Sequence, residues 1–501
     1  MKTSIRLISL ILAVMMLLMA FVACGTDTPD VGPDNSSDSD AVDTVAQTTK
    51  PTLADTKINW EGAEYRILGR GEGDNNMFRN FEIDRDEMPE DVVGVAVWNR
   101  NEALMAKYGL DVVGTLVNEK PNNTAKVFLE AGDDQYDLII CPPNSLHPFA
   151  MQGYLLDIPS LEHIDIEQDC WNDYANTQLT MGGKLFYTTN KFLLHDKHRT
   201  WMVFYNRELA RELNIGYLES EVFDGTWTID RLVEISKIGS AETDGVDGMS
   251  YNDRWGVAFS DVYCFAQLAF ASGFRFSQHG VDGYPELIGA TDEMVSILDK
   301  VFEVIEDKNT CYIWPLRPES EKTSGRLDNS IFCEGHAVVI VDVISTFDDM
   351  SAAGVSFEFG AIPNPKYNET QKDYYSFPNA GNGSLFAVPA TVYDPVKAGF
   401  ALEAISEESV ATSYEAYIET KCKLQDVYDE DSAKCLDIIF EGVVYDIVQI
   451  TDIGNLGKIV SSELPKSESN TYARLFDKNK KRANNEMAKI KEAYLAQAAI
   501  G

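Results

Sequence analysis

Between Glu64 and Cys141 the chain alternates short apolar, β-branched runs with helical repeats, and this alternation restricts the fold more than any other feature. Glu64-Tyr65-Arg66-Ile67-Leu68 is a β-rich run that ends in the turn Gly69-Arg70-Gly71-Glu72-Gly73. Val92 to Tyr108 has a helical period and closes on Gly109, the residue type best suited to a left-handed C-cap. Leu110-Asp111-Val112-Val113 reads as the next strand and Ala125 to Ala131 as a short helix. Tyr136-Asp137-Leu138-Ile139-Ile140 reads as a buried strand ended by Cys141-Pro142-Pro143-Asn144. Strands separated by helices at this spacing predict a mainly parallel α/β sheet. After residue 175 the rhythm returns, with strands at Lys184–Tyr187 and Thr200–Tyr205 and a helix from Arg207 to Leu213. Another helix opens at Trp227-Thr228-Ile229-Asp230, capped near Thr228 or Asp230. Two such units of similar size predict two lobes, and no fixed-period repeat points to a solenoid.

A chain of 501 residues exceeds one ~150-residue domain about threefold, which agrees with more than one core-forming unit. Its 45% hydrophobic and 11% aromatic content supplies those cores and excludes global disorder. Acidic side chains outnumber basic ones 80 to 42, a formal charge of -38, and no basic stripe offsets them. That balance argues against nucleic-acid binding and against docking on anionic lipid through a polybasic face.

The first residues read as an address. Lys2 and Arg6 precede an apolar run from Ile8 to Val22, and Ala23, Cys24 and Gly25 follow. Phe21-Val22-Ala23-Cys24-Gly25 resembles the bacterial lipobox, departing from its usual Leu at Phe21, and implies lipidation of Cys24 after removal of residues 1–23. That removal deletes Lys2 and Arg6 and takes the formal charge from -38 to -40. Residues 24–57 are rich in Thr, Asp, Ser and Pro with no aromatic, so they read as a disordered, solvated tether. No other stretch approaches the ~18 apolar residues of a membrane span. The remaining cysteines (141, 170, 264, 311, 333, 422 and 435) are odd in number and lack CxxC spacing, so they read as buried thiols. Cys422 and Cys435 are the one pair close enough in sequence for a bridge to be considered.

Catalytic motifs are sparse. With 80 acids, a carboxylate pair for glycoside hydrolysis is easy to imagine and carries no information. There is no nucleophile elbow, HExxH or P-loop. His195-Asp196-Lys197-His198 offers HxxH without a third spaced metal ligand, and Asp244 to Gly248 lacks EF-hand spacing. No cofactor or metal is implied.

Several longer phrases, taken in order, resemble the extracellular solute-binding proteins of bacterial ABC importers, family 1, the sugar-binding type. They are YDLII (136–140), MQGYLLDI (151–158), LTMGGKLFYTT (179–189), WMVFYNRELARELNI (201–215) and FDGTWTIDRLVEISK (223–237). FCEGHAVVIVDV (332–343), FGAIPNPKYNETQKDYYS (359–376), GSLFAVPATV (383–392) and DEDSAKCLDIIFEGVVYDI (429–447) complete the set.

The resemblance implies a two-lobe periplasmic-binding-protein-like α/β fold with an interlobe cleft and several crossover segments. Lobe 1 is expected at 58–175 and 385–440, and lobe 2 at 176–384 and 441–501. A first crossing is expected near 165–180 and a return near GSLFAVPATV. It also implies ligand positions. Arg70 and Glu72 follow the first strand, as hydroxyl ligands or as a solvated turn. Asn144 lies just past YDLII. Trp171 in IDIEQDCWND would stack on a sugar or pack the hinge, and Asp196 and Arg199 lie in the cleft or in an exposed turn. Trp255 in WGVAFS is a ligand or a core residue, while Asp261 and Tyr263 lie between that strand and the CFAQLAFASG helix. Trp314 sits in CYIWPL. Asp342 and Ser345 end the GHAVVIVDV strand, where the family often has a nearby Trp and this chain has Phe347.

The function so implied is a monomeric, lipid-anchored receptor on the outer face of the cell membrane. It would capture a mono- or oligosaccharide and deliver it to membrane-embedded permease subunits, with no nucleic acid and no membrane contact beyond the anchor. A secreted carbohydrate-active enzyme and a surface adhesion lipoprotein are the competing classes.

Overall fold

The computed structural model describes residues 53, 56–71, 79–84, 87–323, 325–378, 383–427 and 429–498. The lipobox-like segment with Cys24, the tether up to 52 and Glu72 lie outside these residues.

The first sheet is built as the local sequence dictates. Strand β1 (Ala63–Arg70) pairs in parallel with β2 (Leu110–Val117), and Ile67 of β1 pairs with Leu138 of β3 (Leu138–Cys141). Helix α1 (Val92–Tyr108) links β1 to β2. The Asp91 side chain accepts from Gly94 N at its start, and Gly109 ends it at φ 63°. Helix α2 (Pro121–Ala131) begins with proline in its first turn, where no N–H is lost, and ends at left-handed Gly132. All four residues of β3 are buried, and α3 (Pro143–Met151) follows it directly.

The second sheet begins with β4 (Trp201–Asn206), and α4 (Arg207–Glu212) follows, its first N–H groups capped by Asn206 Oδ1. Then come α5 (Ile229–Gly239), β5 (Trp255–Phe259), α6 (Tyr263–Ala271), α7 (Asp292–Glu306), β6 (Cys311–Ile313), β7 (Ala337–Val343) and β8 (Phe359–Ile362). The order across the sheet is β8-β4-β7-β5-β6. Strand β5 is parallel to β6 and β7, whereas β4 is antiparallel to both β7 and β8. The expected mainly parallel arrangement therefore describes the first sheet and not the second. The chain enters the second sheet beside the carboxyl end of β7, with Trp201 opposite Val343, so β4 must run the other way.

Strand β9 (Leu385–Ala387) returns to the first sheet antiparallel to β3, giving the order β9-β3-β1-β2. Helix α8 (Pro395–Ser409) packs on α1 and continues into π-helical turns at Val410–Tyr414 and Ala416–Asp426. Helix α9 (Glu430–Glu441) then packs on β8, and α10 (Tyr472–Ala498) closes the chain. Both sheets lie within one compact unit, and a single apolar cluster runs from Leu68 and Ile139 to Val257 and Val339.

Four expectations require correction. Lys184–Tyr187 forms no strand, because Phe186 is packed edge-on against Tyr494 of α10 rather than laid along a ladder. The first crossing is not at 165–180. Ile158 N bonds Leu185 O and Leu156 N bonds Val388 O, so the chain stays on the first sheet and crosses over Thr188–Thr200. The segment 385–440 does not belong wholly to the first lobe either, since α9 packs on β8 of the second sheet. Nor does 441–501 belong to one lobe: Gln497 Nε2 donates to Ala150 O at 2.7 Å beside α3, while Tyr472 packs on Phe274.

Candidate functional site

The segment that joins the two sheets is unusual in composition for its location. His195, Asp196, Lys197, His198, Arg199 and Thr200 are six consecutive polar residues, and none is more than 9% exposed. Burying such groups is costly unless each finds a partner. Sequence reasoning allowed an exposed turn here; the tertiary structure buries it.

The six side chains fan out to different elements. His195 Nδ1 and Ser384 Oγ are hydrogen-bonded at 2.8 Å, and His195 N donates to Glu82 Oε1 at 3.3 Å. Asp196 Oδ2 accepts from Thr189 Oγ1 at 2.7 Å and from Lys197 Nζ at 3.0 Å. His198 Nδ1 lies 3.0 Å from Tyr417 Oη on the π-helical crossing. Arg199 Nη1 donates to Ser345 Oγ at 2.7 Å. The backbone is tied in as well: Ile344 N donates to Thr200 O and Ser345 N to His198 O.

On the first-sheet side, the carboxyl ends of β1 and β3 bring Arg70, Asn80, Pro142, His195 and Ser384 around one small recess. Asn80 Oδ1 accepts from Arg70 N at 2.8 Å. Burial lowers the pKa of the Arg70 guanidinium, and burial pushes the Glu82 carboxyl up to about 7. On the second-sheet side, Asp342, the penultimate residue of β7, accepts from Val343 N at 2.8 Å. Burial, and then the neighbouring Asp328 carboxylate, push Asp342 up to about 7. Asp328 is itself raised to about 6 by burial, then by Asp349, with Arg199 opposing the rise. Asp261 follows β5, accepts from Tyr263 N at 2.8 Å and is raised by burial. Strand ends of open α/β sheets are where ligands of this fold class are held. Here they present guanidinium, carboxyl, amide and hydroxyl groups, the set that can donate to and accept from a polyhydroxy ligand.

The twelve expected ligand positions divide. Arg199, Asp342 and Ser345 come together, and Asp261 follows Ser260, whose Oγ donates to Val341 O of β7. Arg70 faces the first-sheet recess. Asn144 is exposed on the first turn of α3, where its Oδ1 accepts from Ser145 Oγ. Tyr263 is half-buried at the start of α6. Trp171 and Asp196 line a separate cavity of about 430 Å³, and Trp171 Nε1 donates to Glu403 Oε2 at 3.0 Å. Trp255 is a core residue. It is fully buried at the start of β5, donates to Ser250 O and lies under the Arg317 guanidinium. Trp314 packs half-buried on the apolar cluster behind the second sheet. Glu72 is outside the described residues.

Sequence reasoning missed Asn80, Glu82, Asp328 and Ser384. Each sits in an irregular stretch where periodicity carries no signal; Asn80 meets Arg70 N, Glu82 and Ser384 meet His195, and Asp328 stands by Asp342. Phe347 packs edge-on against Phe204 in the core. Among the described residues no group of three or more His, Cys, Asp or Glu is placed to hold a metal ion, and no helix is long and apolar enough to cross a membrane.

No protein-family model matches the chain, and none of the curated proteins matches it by sequence. Solved structures do. A cyclo/maltodextrin-binding protein complexed with maltotetraose superposes with a TM-score of 0.52 at 16% identity, over 86% of this chain and 97% of that one. An ABC substrate-binding protein from Listeria monocytogenes in complex with cycloalternan gives 0.52 at 15% identity, over 85% and 99%. The likeness at these identities is one of fold: the chain has the two-lobed α/β architecture of these substrate-binding proteins.

Proposed function

We propose that this chain is the substrate-binding component of an ABC importer and captures a mono- or oligosaccharide between its two lobes. The observation that carries the reading is the buried polar turn His195–Thr200, whose side chains reach strand-end groups of both sheets at once. A rigid-body rotation of one sheet relative to the other bends the crossing segments and changes the gap between Arg70 on one side and Asp261, Asp342 and Ser345 on the other. A sugar held there has its hydroxyls met by carboxyls, amides and guanidinium, and closure removes water from both its faces. Nothing in this scheme changes a covalent bond, so the protein acts as a receptor rather than an enzyme.

The same reading places the mature protein outside the cytoplasm, monomeric and tethered by lipid on Cys24, from where the closed form is presented to the permease subunits. Mass spectrometry of the membrane-extracted protein tests the anchor: a diacylglyceryl adduct on Cys24 is expected, and an unmodified, uncleaved N-terminus refutes it.

The function is tested by melting the tether-free protein with a panel of neutral mono- and oligosaccharides. A ligand at 100 times its dissociation constant adds about 2.7 kcal/mol of stability. No stabilisation by any member of the panel, or release of shortened sugars, overturns the receptor reading. In cells, loss of uptake of that sugar when the chain is deleted is the expected result for an importer component.

A further inference from the structure

The cavity of about 430 Å³ that contains Trp171 is not part of the strand-end recess, although the same turn borders both. His195 faces Arg70 and Ser384, whereas Asp196, Lys197 and Thr200 face the cavity. A second hollow of about 570 Å³ adjoins it, and Tyr174, Glu441 and Val443 line both, so the two form one continuous trough. Its walls come from the Thr188–Thr200 crossing, the irregular segment at Tyr374–Tyr375, the π-helical Tyr414 and the end of α9. Each hollow is within the ~300–1,000 Å³ range of small-molecule sites.

The chemistry of the walls is selective. Aromatic rings recur along the trough at Trp171, Tyr174, Tyr375, Tyr414, Phe440 and Tyr445. Tyr174, at the shared rim, is 44% exposed, a large ring face left open to a ligand. Between the rings stand carboxylates at Glu167, Asp173 and Glu441 and the amide of Asn172, while the buried Asn190 amide is taken by Ser406 and Phe192 N. The lysines of the inner hollow are already neutralised, Lys191 by Asp169 at 2.7 Å and Lys197 by Asp196 at 2.8 Å. In the outer hollow Arg275, whose Nη1 donates to the carbonyls of Phe270 and Phe274, and Lys372 are balanced by Asp373 and Glu441, so the carboxylate excess lies in the inner hollow. An anionic ligand therefore meets excess carboxylate. A neutral ring with C–H faces and hydroxyl edges meets rings for the former and acceptors for the latter.

We propose that this trough is a second binding site, for a neutral oligosaccharide, distinct from the strand-end site and borne by the crossing segments themselves. The assignment stands or falls independently of the proposed capture site, because none of the strand-end groups lines it.

The test is saturation-transfer NMR on the tether-free protein with gluco-, galacto-, manno- and xylo-configured oligosaccharides. Two double variants are compared with wild type: Tyr174→Ala/Glu441→Gln in the trough, and Asp261→Asn/Ser345→Ala at the strand ends. Tyr174 and Glu441 are exposed, so their loss leaves the fold intact, which near-ultraviolet circular dichroism checks. The expected result is at least one oligosaccharide whose affinity drops about 10- to 100-fold in the trough variant and persists in the strand-end variant. If every bound sugar depends on the strand-end pair alone, the trough site is refuted and the receptor reading survives. If no sugar binds, or none responds to Tyr174 and Glu441, the trough site is likewise refuted.

Discussion

Arg199 Nη1 donates to Ser345 Oγ at 2.7 Å, which ties the crossing turn to the carboxyl end of β7. Both residues are buried; burial lowers the pKa of the Arg199 guanidinium, and Asp342 near the end of β7 opposes that fall. One side chain thus links the passage between the sheets to the strand end where ligand contacts are proposed.

Replacing Arg199 with Met removes a buried charge and leaves acidic neighbours without it. The expected loss is about 3–5 kcal/mol, while Ser345→Ala, which removes one hydrogen bond, costs about 1–3 kcal/mol. Urea unfolding followed by tryptophan fluorescence measures both. Wild-type stability of the Arg199 variant refutes the assigned role of the turn.

Arg70, Asp261 and Asp342 changed singly to Ala are each expected to weaken sugar binding by about 1–3 kcal/mol if they meet hydroxyls. Isothermal titration with the sugar that stabilises wild type gives the values. Unchanged affinity in all three displaces the capture site from the strand ends.

Glu403 on α8 accepts from Trp171 Nε1, and burial pushes its carboxyl from 4.5 up to about 8. The folded state therefore holds a proton that the unfolded chain has already released, and stability falls as pH rises between these two values. Glu403→Gln is expected to remove that decline, which for one group is at most about 1.4 kcal/mol per pH unit. Burial lowers His198, whose contribution has the opposite sign and rises with pH, so the comparison is between variant and wild type rather than of either alone. Urea midpoints from pH 5 to 8 decide it; parallel curves show that Glu403 is not the group responsible.

Gly256 in β5 lies directly against α5. A Cβ there would stand 2.3 Å from Ser236 O and 2.5 Å from Ser236 Cα, backbone atoms that cannot swing away. Gly256→Ala is expected to cost about 1–3 kcal/mol by forcing helix and sheet apart. A melting temperature equal to that of wild type contradicts this packing.

The seven described cysteines are free thiols, six of them buried and Cys333 partly so. Burial pushes Cys333 up to about 12 and raises the rest as well. Thiol titration of the tether-free protein is expected to find little reaction in the native state and seven groups after denaturation. Five groups would mean that Cys422 and Cys435 are bridged after all.

Much of the first sheet was legible from local signals. The Val92–Tyr108 repeat ending on Gly109 is the helix observed, and the apolar runs at 64–68, 110–113 and 136–140 each lie in or overlap a strand. The Trp201 strand and the helix after Thr228 were equally visible. What failed was everything that depended on remote partners. Lys184–Tyr187 has a strand-like composition but is recruited by Tyr494, some three hundred residues away in sequence. Trp255, read as a possible ligand, is consumed by packing against Arg317.

The sequence by itself determined the α/β alternation, the helix ends and the residue inventory that a polyhydroxy ligand requires, because caps, turns and side-chain periods are set by neighbours along the chain. The tertiary structure alone decided that His195–Thr200 is buried, that β9 lies antiparallel to β3 and that Asp328 stands beside Asp342. Those outcomes rest on partners distant in sequence, and whether a charge tolerates burial depends on which groups the fold brings within hydrogen-bonding reach.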